Sequence, residues 1–211
     1  MPGVPLPCRC RVYQRRTVDS LSSEVSFLFA TNDRSISGRG ILMFHKPDQI
    51  RVILLSPFGS VLQEVYVDGE QVTIIDAGNG VAFRGNYLDL PDKGEFRSWR
   101  HINWLINMEP FDSSRRTEVI ERTNRFGHSE KATFENGLLI SKTIASGGTA
   151  RYGKYTAING APLPQEITYE TAAEEKITIY LENPEINIPF KEDAFTPDLS
   201  KLRVYPLSVL K

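Results

Sequence analysis

Apolar and polar positions alternate in short runs along most of the chain. Residues 39–46 form one run, closed by Pro47-Asp48, and residues 50–56 the next, closed by Pro57-Phe58-Gly59. Residues 61–67 turn at Asp68-Gly69 into 71–76, which turn at Gly78-Asn79-Gly80 into 81–87. Asp-Gly between alternating runs is a strong hairpin signal. The rhythm returns in 118–123, 130–134, 138–144, 150–158, 164–170 and 176–182, with Asn136-Gly137 and Gly147-Gly148 among the turns. Spacing near ten residues predicts an antiparallel meander. Two segments carry a period of three to four instead. Val18, Leu21, Val25, Leu28 and Phe29 predict a short amphipathic helix starting near Asp19 or Ser20, passing into strand from about residue 26. Trp99, Ile102, Leu105 and Ile106 predict a second helix of about 12–14 residues, stopped by Pro110.

The expected fold is therefore mainly β in an α+β setting. About ten or eleven strands in one domain must curl rather than stay flat. The expectation is an open antiparallel half-barrel, with the helices covering its concave apolar face. Residues 1–10 hold three prolines and no periodicity, and read as an extended or disordered arm. Residues 11–211 read as one domain.

Several strands carry one wet and one apolar face, as antiparallel sheets allow. Val72 and Ile74 alternate with Gln71 and Thr73; Phe83 with Arg84; Ala132 and Phe134 with Lys131 and Thr133; Ile177, Ile179 and Leu181 with Thr178, Tyr180 and Glu182. A helix of about 13 residues is too short to cover ten strands. The remaining apolar face is covered by the second helix, by loops, or by a ligand in a cavity. The candidate cavity residues are Ile74, Phe83, Trp99, Ile102, Leu105, Phe134, Ile177, Ile179 and Leu181.

Composition narrows the function. The 211 residues are 40% apolar and 24% charged, with a formal net charge of -1. Near-neutral charge argues against general nucleic-acid binding. The longest apolar runs have four residues, as in 27–30, 41–44 and 52–55, against roughly 20 for a spanning helix. His45, His101 and His128 form no zinc-hydrolase spacing, and no Gly-x-Ser-x-Gly, phosphate loop or dinucleotide fingerprint occurs. No catalytic residue, metal site or cofactor is expected. Cys8 and Cys10 are too close for an easy disulfide. Pro7 and Arg9 before them do not suit a lipidation site. Residues 1–7 lack the features of a signal peptide.

The turn at 56–60 is unusual. Hairpin turns favour small polar residues, yet Pro57, Phe58 and Gly59 place a large apolar side chain at this one. Phe58 either folds back over the sheet edge or forms an apolar tip for a lipid surface or a partner.

These residues resemble a known family. Ser37-Gly38-Arg39-Gly40-Ile41-Leu42-Met43-Phe44-His45-Lys46-Pro47, then Ile50-Arg51-Val52 and Ser56-Pro57-Phe58-Gly59, look like the lipoprotein-localisation proteins. These are the periplasmic carrier (LolA-like) and the outer-membrane receptor (LolB-like). Val67-Asp68-Gly69-Glu70-Gln71-Val72 is similar to a hairpin of the same group. The resemblance spans residues 20–205. It implies an unclosed antiparallel barrel, helical lids over an apolar cavity for lipoprotein acyl chains or phospholipid, and no chemistry. The receptor branch has an apolar residue at a loop tip used in delivery to the membrane; Pro57-Phe58-Gly59 matches that position. The receptor's lipidated N-terminal Cys is not matched by Cys8 or Cys10. Arg39 and Arg51 fit the pattern loosely and carry no assigned role beyond edge salt bridges. The implied partners are a periplasmic carrier protein and the outer-membrane surface, for a monomer that binds no nucleic acid. The implied location is the periplasm or the periplasmic face of the outer membrane, with the chain as a processed or trimmed exported protein. Two alternatives remain open: a periplasmic protein-interaction module with a filled core, and a hydrolase on a curved sheet. The hydrolase needs a polar cluster on the concave face, which the alternation does not predict.

Overall fold

The computed structural model describes residues 13–31, 35–91, 94–124, 127–145, 147–171 and 175–210. The expectations for residues 1–10, including Cys8 and Cys10, lie outside them. The alternating runs form thirteen strands: β1 (Ser20–Ala30), β2 (Ser35–His45), β3 (Gln49–Leu55), β4 (Val61–Asp68), β5 (Gln71–Asp76), β6 (Val81–Asn86), β7 (Glu118–Thr123), β8 (Ser129–Glu135), β9 (Leu138–Ile144), β10 (Thr149–Ile158), β11 (Ala161–Glu170), β12 (Lys176–Ile186) and β13 (Arg203–Pro206). They make one sheet in the order β13-β6-β5-β4-β3-β2-β1-β12-β11-β10-β9-β8-β7. Two meanders, β1–β6 and β7–β12, are joined where β1 pairs β12 antiparallel. The outer strands, β13 and β7, do not pair, so the sheet stays open.

Helix α1 (Gly94–Ile106) occupies the long connection between the meanders. Its 13 residues match the length expected of the inserted helix. The sheet bends around it. Val72 on β5 and Phe134 on β8 share one core cluster with Ile102, Trp104 and Leu105 of α1. These strands stand nine places apart in the sheet, which in a flat sheet would separate them by roughly 40 Å. Gly40 on β2 helps the sheet curl, since a Cβ there would meet the Ile53 carbonyl oxygen.

Two expectations are corrected. Among the described residues no helix precedes the first strand: Ser20–Ala30 is strand throughout, paired on one side with β2 and on the other with β12. The spacing of Leu21, Val25 and Phe29 fits period two as well as period four, and all three are buried on one face. Two sets of ladder hydrogen bonds decide between the readings. Among the described residues the strand count is thirteen rather than ten or eleven. β13 was not readable because all four of its residues are exposed and it pairs parallel with the distant β6.

Residues 194–202 of the tail cover the opposite face from α1, while Leu207 beyond β13 turns back into the main core. Leu199 and Leu202 pack on Tyr66, Ile75 and Ala82, a separate small cluster. Arg51 donates to the Ala194 carbonyl at 3.2 Å and pairs with Glu64 at 2.7 Å. Phe195 stacks near His45, with ring centroids 6.2 Å apart. On the concave side, α1 shares the core with Leu90 and Leu207, both under 2% exposed.

Candidate functional site

The two ends of the concave side are filled differently. Toward the β2–β3 turn the core is closed by Leu21, Phe44, Ile50, Ile106 and Leu163, each less than 2% exposed. Toward the other end, where β1 passes into β2 and β3 into β4, a cavity of about 290 Å³ remains beneath α1. That volume sits at the lower edge of the roughly 300–1,000 Å³ usual for ligand pockets. Its walls are Val25, Phe27 and Phe29 of β1, Ile36 and Leu42 of β2, Val52 and Leu54 of β3, Gln63 of β4, Ile177 and Ile179 of β12, and Trp99, Ile102 and Leu105 of α1. Trp99, Ile102 and Leu105 stand three residues apart on one helix face, which aligns them over the opening. Ile36 is 46% exposed and marks the mouth. Among the described residues, Gln63 is the one polar side chain in the wall, and none of the lining residues titrates. Gly38, opposite Phe27, leaves room for the Phe27 ring, which a Cβ there would strike.

Of the nine residues expected in such a cavity, Trp99, Ile102, Leu105, Ile177 and Ile179 line it. Ile74, Phe134 and Leu181 are buried in the filled core instead. Phe83 is half-buried, its ring centroid 6.0 Å from that of Tyr205. The wall residues of β1 to β4 were missed. The run Val25, Phe27, Phe29 was the available signal, obscured by the helical reading of residues 19–25.

The far wing, β7–β9, meets α1 with charge. Arg122 donates Nε to Glu130 and Nη2 to Glu109, both at 2.6 Å. The Trp104 indole donates to the second Glu130 oxygen. Lys142 donates to the Trp104 carbonyl and, at 3.0 Å, to the Asn107 carbonyl. The Tyr152 hydroxyl donates to the Leu105 carbonyl at 3.0 Å. The carbonyls left over at the C-terminal end of α1 are thus taken up by side chains, two of them by a cation placed where the helix dipole favours one. Burial pushes the Lys142 ammonium down to about 8, against the pull of Glu130 and Glu109. A polar cluster therefore does exist on the concave side, contrary to the alternation. Its members are satisfied by one another and by the helix end, so they hold α1 to the sheet.

The 56–60 turn is closed by its own hydrogen bonds. Ser56 Oγ accepts from the Phe58 and Ser60 amides at 3.2 and 3.1 Å, and the Gly59 amide donates to the Ser56 carbonyl at 2.9 Å. Gly59 has φ of +82°, which suits glycine. Phe58 is 97% exposed, with Leu62 at 51% beside it in sequence. The ring does not fold back over the sheet edge. The turn extends from the end of the sheet that bears the cavity mouth, because Leu54 and Gln63 of the wall flank it.

No helix of the described residues is long and apolar enough to cross a membrane. No protein-family model matches the sequence, and no curated protein matches it either. Solved structures do match in fold. A LolA superfamily protein from Nitrosomonas europaea aligns over 87% of this chain and 93% of its own, with a TM-score of 0.58 and 15% identity. A DUF1329 family protein from Desulfovibrio piger aligns over 85% and 90%, with a TM-score of 0.64 and 10% identity. A domain from Vibrio parahaemolyticus, provisionally named an outer-membrane lipoprotein-sorting protein domain, aligns over 84% and 89%, with a TM-score of 0.63 and 6% identity. In its open curved sheet this chain shares a fold with these three structures, one of them a LolA superfamily protein.

Proposed function

We propose that the protein is a non-enzymatic carrier of acyl chains, taking those of lipoproteins or phospholipids, in the bacterial envelope. The reading rests on one observation above the rest: the cavity beneath α1 is lined almost wholly by apolar side chains, unlike the pocket of about 320 Å³ at the charged end of the helix, which is lined by Asn103, Glu109, Arg122, Glu130 and Lys142 among others. The names of two structural neighbours, a LolA superfamily protein and a lipoprotein-sorting domain, support it. Each buried methylene is worth roughly 0.8 kcal/mol. A bilayer offers the same gain, so passing the chain on needs only a difference in affinity between donor, carrier and membrane. In this reading the protein works as a monomer in the periplasm or on the periplasmic face of the outer membrane. It receives cargo from a periplasmic carrier protein. The apolar tip at Pro57, Phe58 and Gly59 touches the membrane while the nearby mouth releases the chain.

Native mass spectrometry of protein purified without detergent tests the first half. Bound acyl lipid is expected; absence of lipid, together with no saturable uptake of a fluorescent fatty acyl probe, overturns the carrier reading. Phe58→Glu tests the second half. Burying a phenylalanine is worth roughly 1.5–3 kcal/mol, so transfer to liposomes should fall about tenfold or more with unchanged thermal stability. Unchanged transfer removes the turn from the delivery step.

A further inference from the structure

Gln63 is out of place in the cavity wall unless the ligand itself carries a polar group. Twelve of the thirteen lining residues are apolar. The Gln63 carboxamide, half-buried among them, meets no hydrogen-bond partner among the described residues. Its cross-strand neighbour on β5 is Asp76, an obvious acceptor. Yet Asp76 is engaged elsewhere: its two carboxylate oxygens accept from the Asn79 amide at 3.0 Å and the Asn79 side chain at 2.7 Å. On the other side Gln63 faces Leu54, which offers no polar side-chain atom. The carboxamide therefore has two donors and an acceptor turned toward the cavity space. Water can serve them when the cavity is empty. A purely hydrocarbon ligand would displace that water and leave them unpaired, which is unfavourable.

The position along the strand fixes where such a group would lie. Gln63 is the third residue of β4, just past the exposed turn and near the mouth marked by Ile36. Phe29, Leu54 and Ile177 share this end, while Ile102 and Leu105 line the cavity from α1. An acyl chain lying among the apolar side chains would bring its polar end to this level.

We propose that Gln63 is a specificity-determining residue that donates a hydrogen bond to the carbonyl of the ester or amide linking an acyl chain to its headgroup. The cavity then selects carbonyl-linked chains over ether-linked ones and sets how deeply the chain enters. This rests on the acyl-carrier reading above.

The test compares two probes that share chain length and headgroup: 1-palmitoyl-lysophosphatidylcholine, an ester, and 1-O-hexadecyl-lysophosphatidylcholine, an ether. Binding is measured by displacement of a fluorescent fatty acyl probe. The native protein should prefer the ester by about two- to tenfold, the range of one net neutral hydrogen bond. Gln63→Leu should bring the ratio to about one while retaining affinity for the ether. Gln63→Met, unbranched like glutamine, gives an independent version of the same comparison. Equal binding of both probes by the native protein, or an ester preference that survives both substitutions, overturns this inference and leaves the carrier reading intact. Failure of the native protein to bind either probe overturns both.

Discussion

The two wings of the sheet hold α1 in opposite ways. On the β1–β4 and β12 side, apolar side chains face Trp99, Ile102 and Leu105 across about 290 Å³ of open space. On the β7–β9 side, Arg122, Glu130 and Lys142 bond to one another's partners and to the end of the same helix with no buried polar atom left over among them, around a polar pocket of about 320 Å³. The first contact is non-directional and can exchange protein atoms for ligand atoms at little cost. The second is directional, and breaking any one partner strands a buried charge. The C-terminal end of α1 is therefore held by directional bonds, while its flank over the cavity is held by apolar contacts.

Substitutions can separate these roles. The largest effect is expected on the charged wing. Glu130→Ala leaves Lys142 buried without the carboxylate that most favours its charge and removes a partner from Arg122 and Trp104. Unfolding in urea should show a loss of about 3–5 kcal/mol. A midpoint indistinguishable from the native one would mean the network does not hold the helix.

A second pair of changes compares filled and open space directly. Phe134 is fully buried, with the Arg115 guanidinium 4.6 Å from its ring centroid. Phe134→Ala should cost about 3–5 kcal/mol. Phe27 lines the cavity and is half-buried, so Phe27→Ala should cost less than half as much while reducing acyl-probe binding. Equal costs would show that the cavity wall is packed as tightly as the core.

The smallest effect is a pH slope. Lys142 releases its proton at about 8 in the fold, against about 10.4 in the unfolded chain. Between these values the unfolded chain binds more protons, so this group's contribution to stability rises with pH. The slope is at most about 1.4 kcal/mol per pH unit. The penalty of the buried ammonium is fully present below pH 8 and relieved above it. A neutral amine still donates two hydrogens, enough for the carbonyls of Trp104 and Asn107. Lys142→Met should remove this rising component between pH 8 and 9.5, read from denaturation midpoints. Parallel curves for the two proteins would show that Lys142 does not titrate there.

Helix α1 was legible because Trp99, Ile102 and Leu105 repeat at helical spacing in a stretch with no strand alternation. The hairpins at Asp68-Gly69 and Asn136-Gly137 were legible from turn chemistry alone. The charged cluster was half-visible. Extending the alternation of Phe134 and Ala132 by one step puts Glu130 on the apolar face. Lys142 was hidden: the register between β8 and β9 shifts between Thr133 and Phe134, so that Ser141 pairs Thr133 and Leu139 pairs Phe134. That one-residue bulge brings Lys142 to the same face as Leu139, where a simple period-two count puts it on the other.

By itself the sequence determined the local pieces: an antiparallel set of strands, the turns between them, one inserted helix, and an aromatic at the tip of a hairpin. Those features depend on period and turn geometry, which neighbours in the chain settle among themselves. The tertiary structure decided the rest. Residues 20–25 became strand because β2 and β12 both had unpaired edges to satisfy. Residues 194–202 went to the convex face, where Tyr66 and Ile75 needed cover, and Leu207 returned to the main core. The open space formed between β1–β4, β12 and α1, since how completely a concave face is filled depends on side-chain volumes brought together from distant parts of the chain.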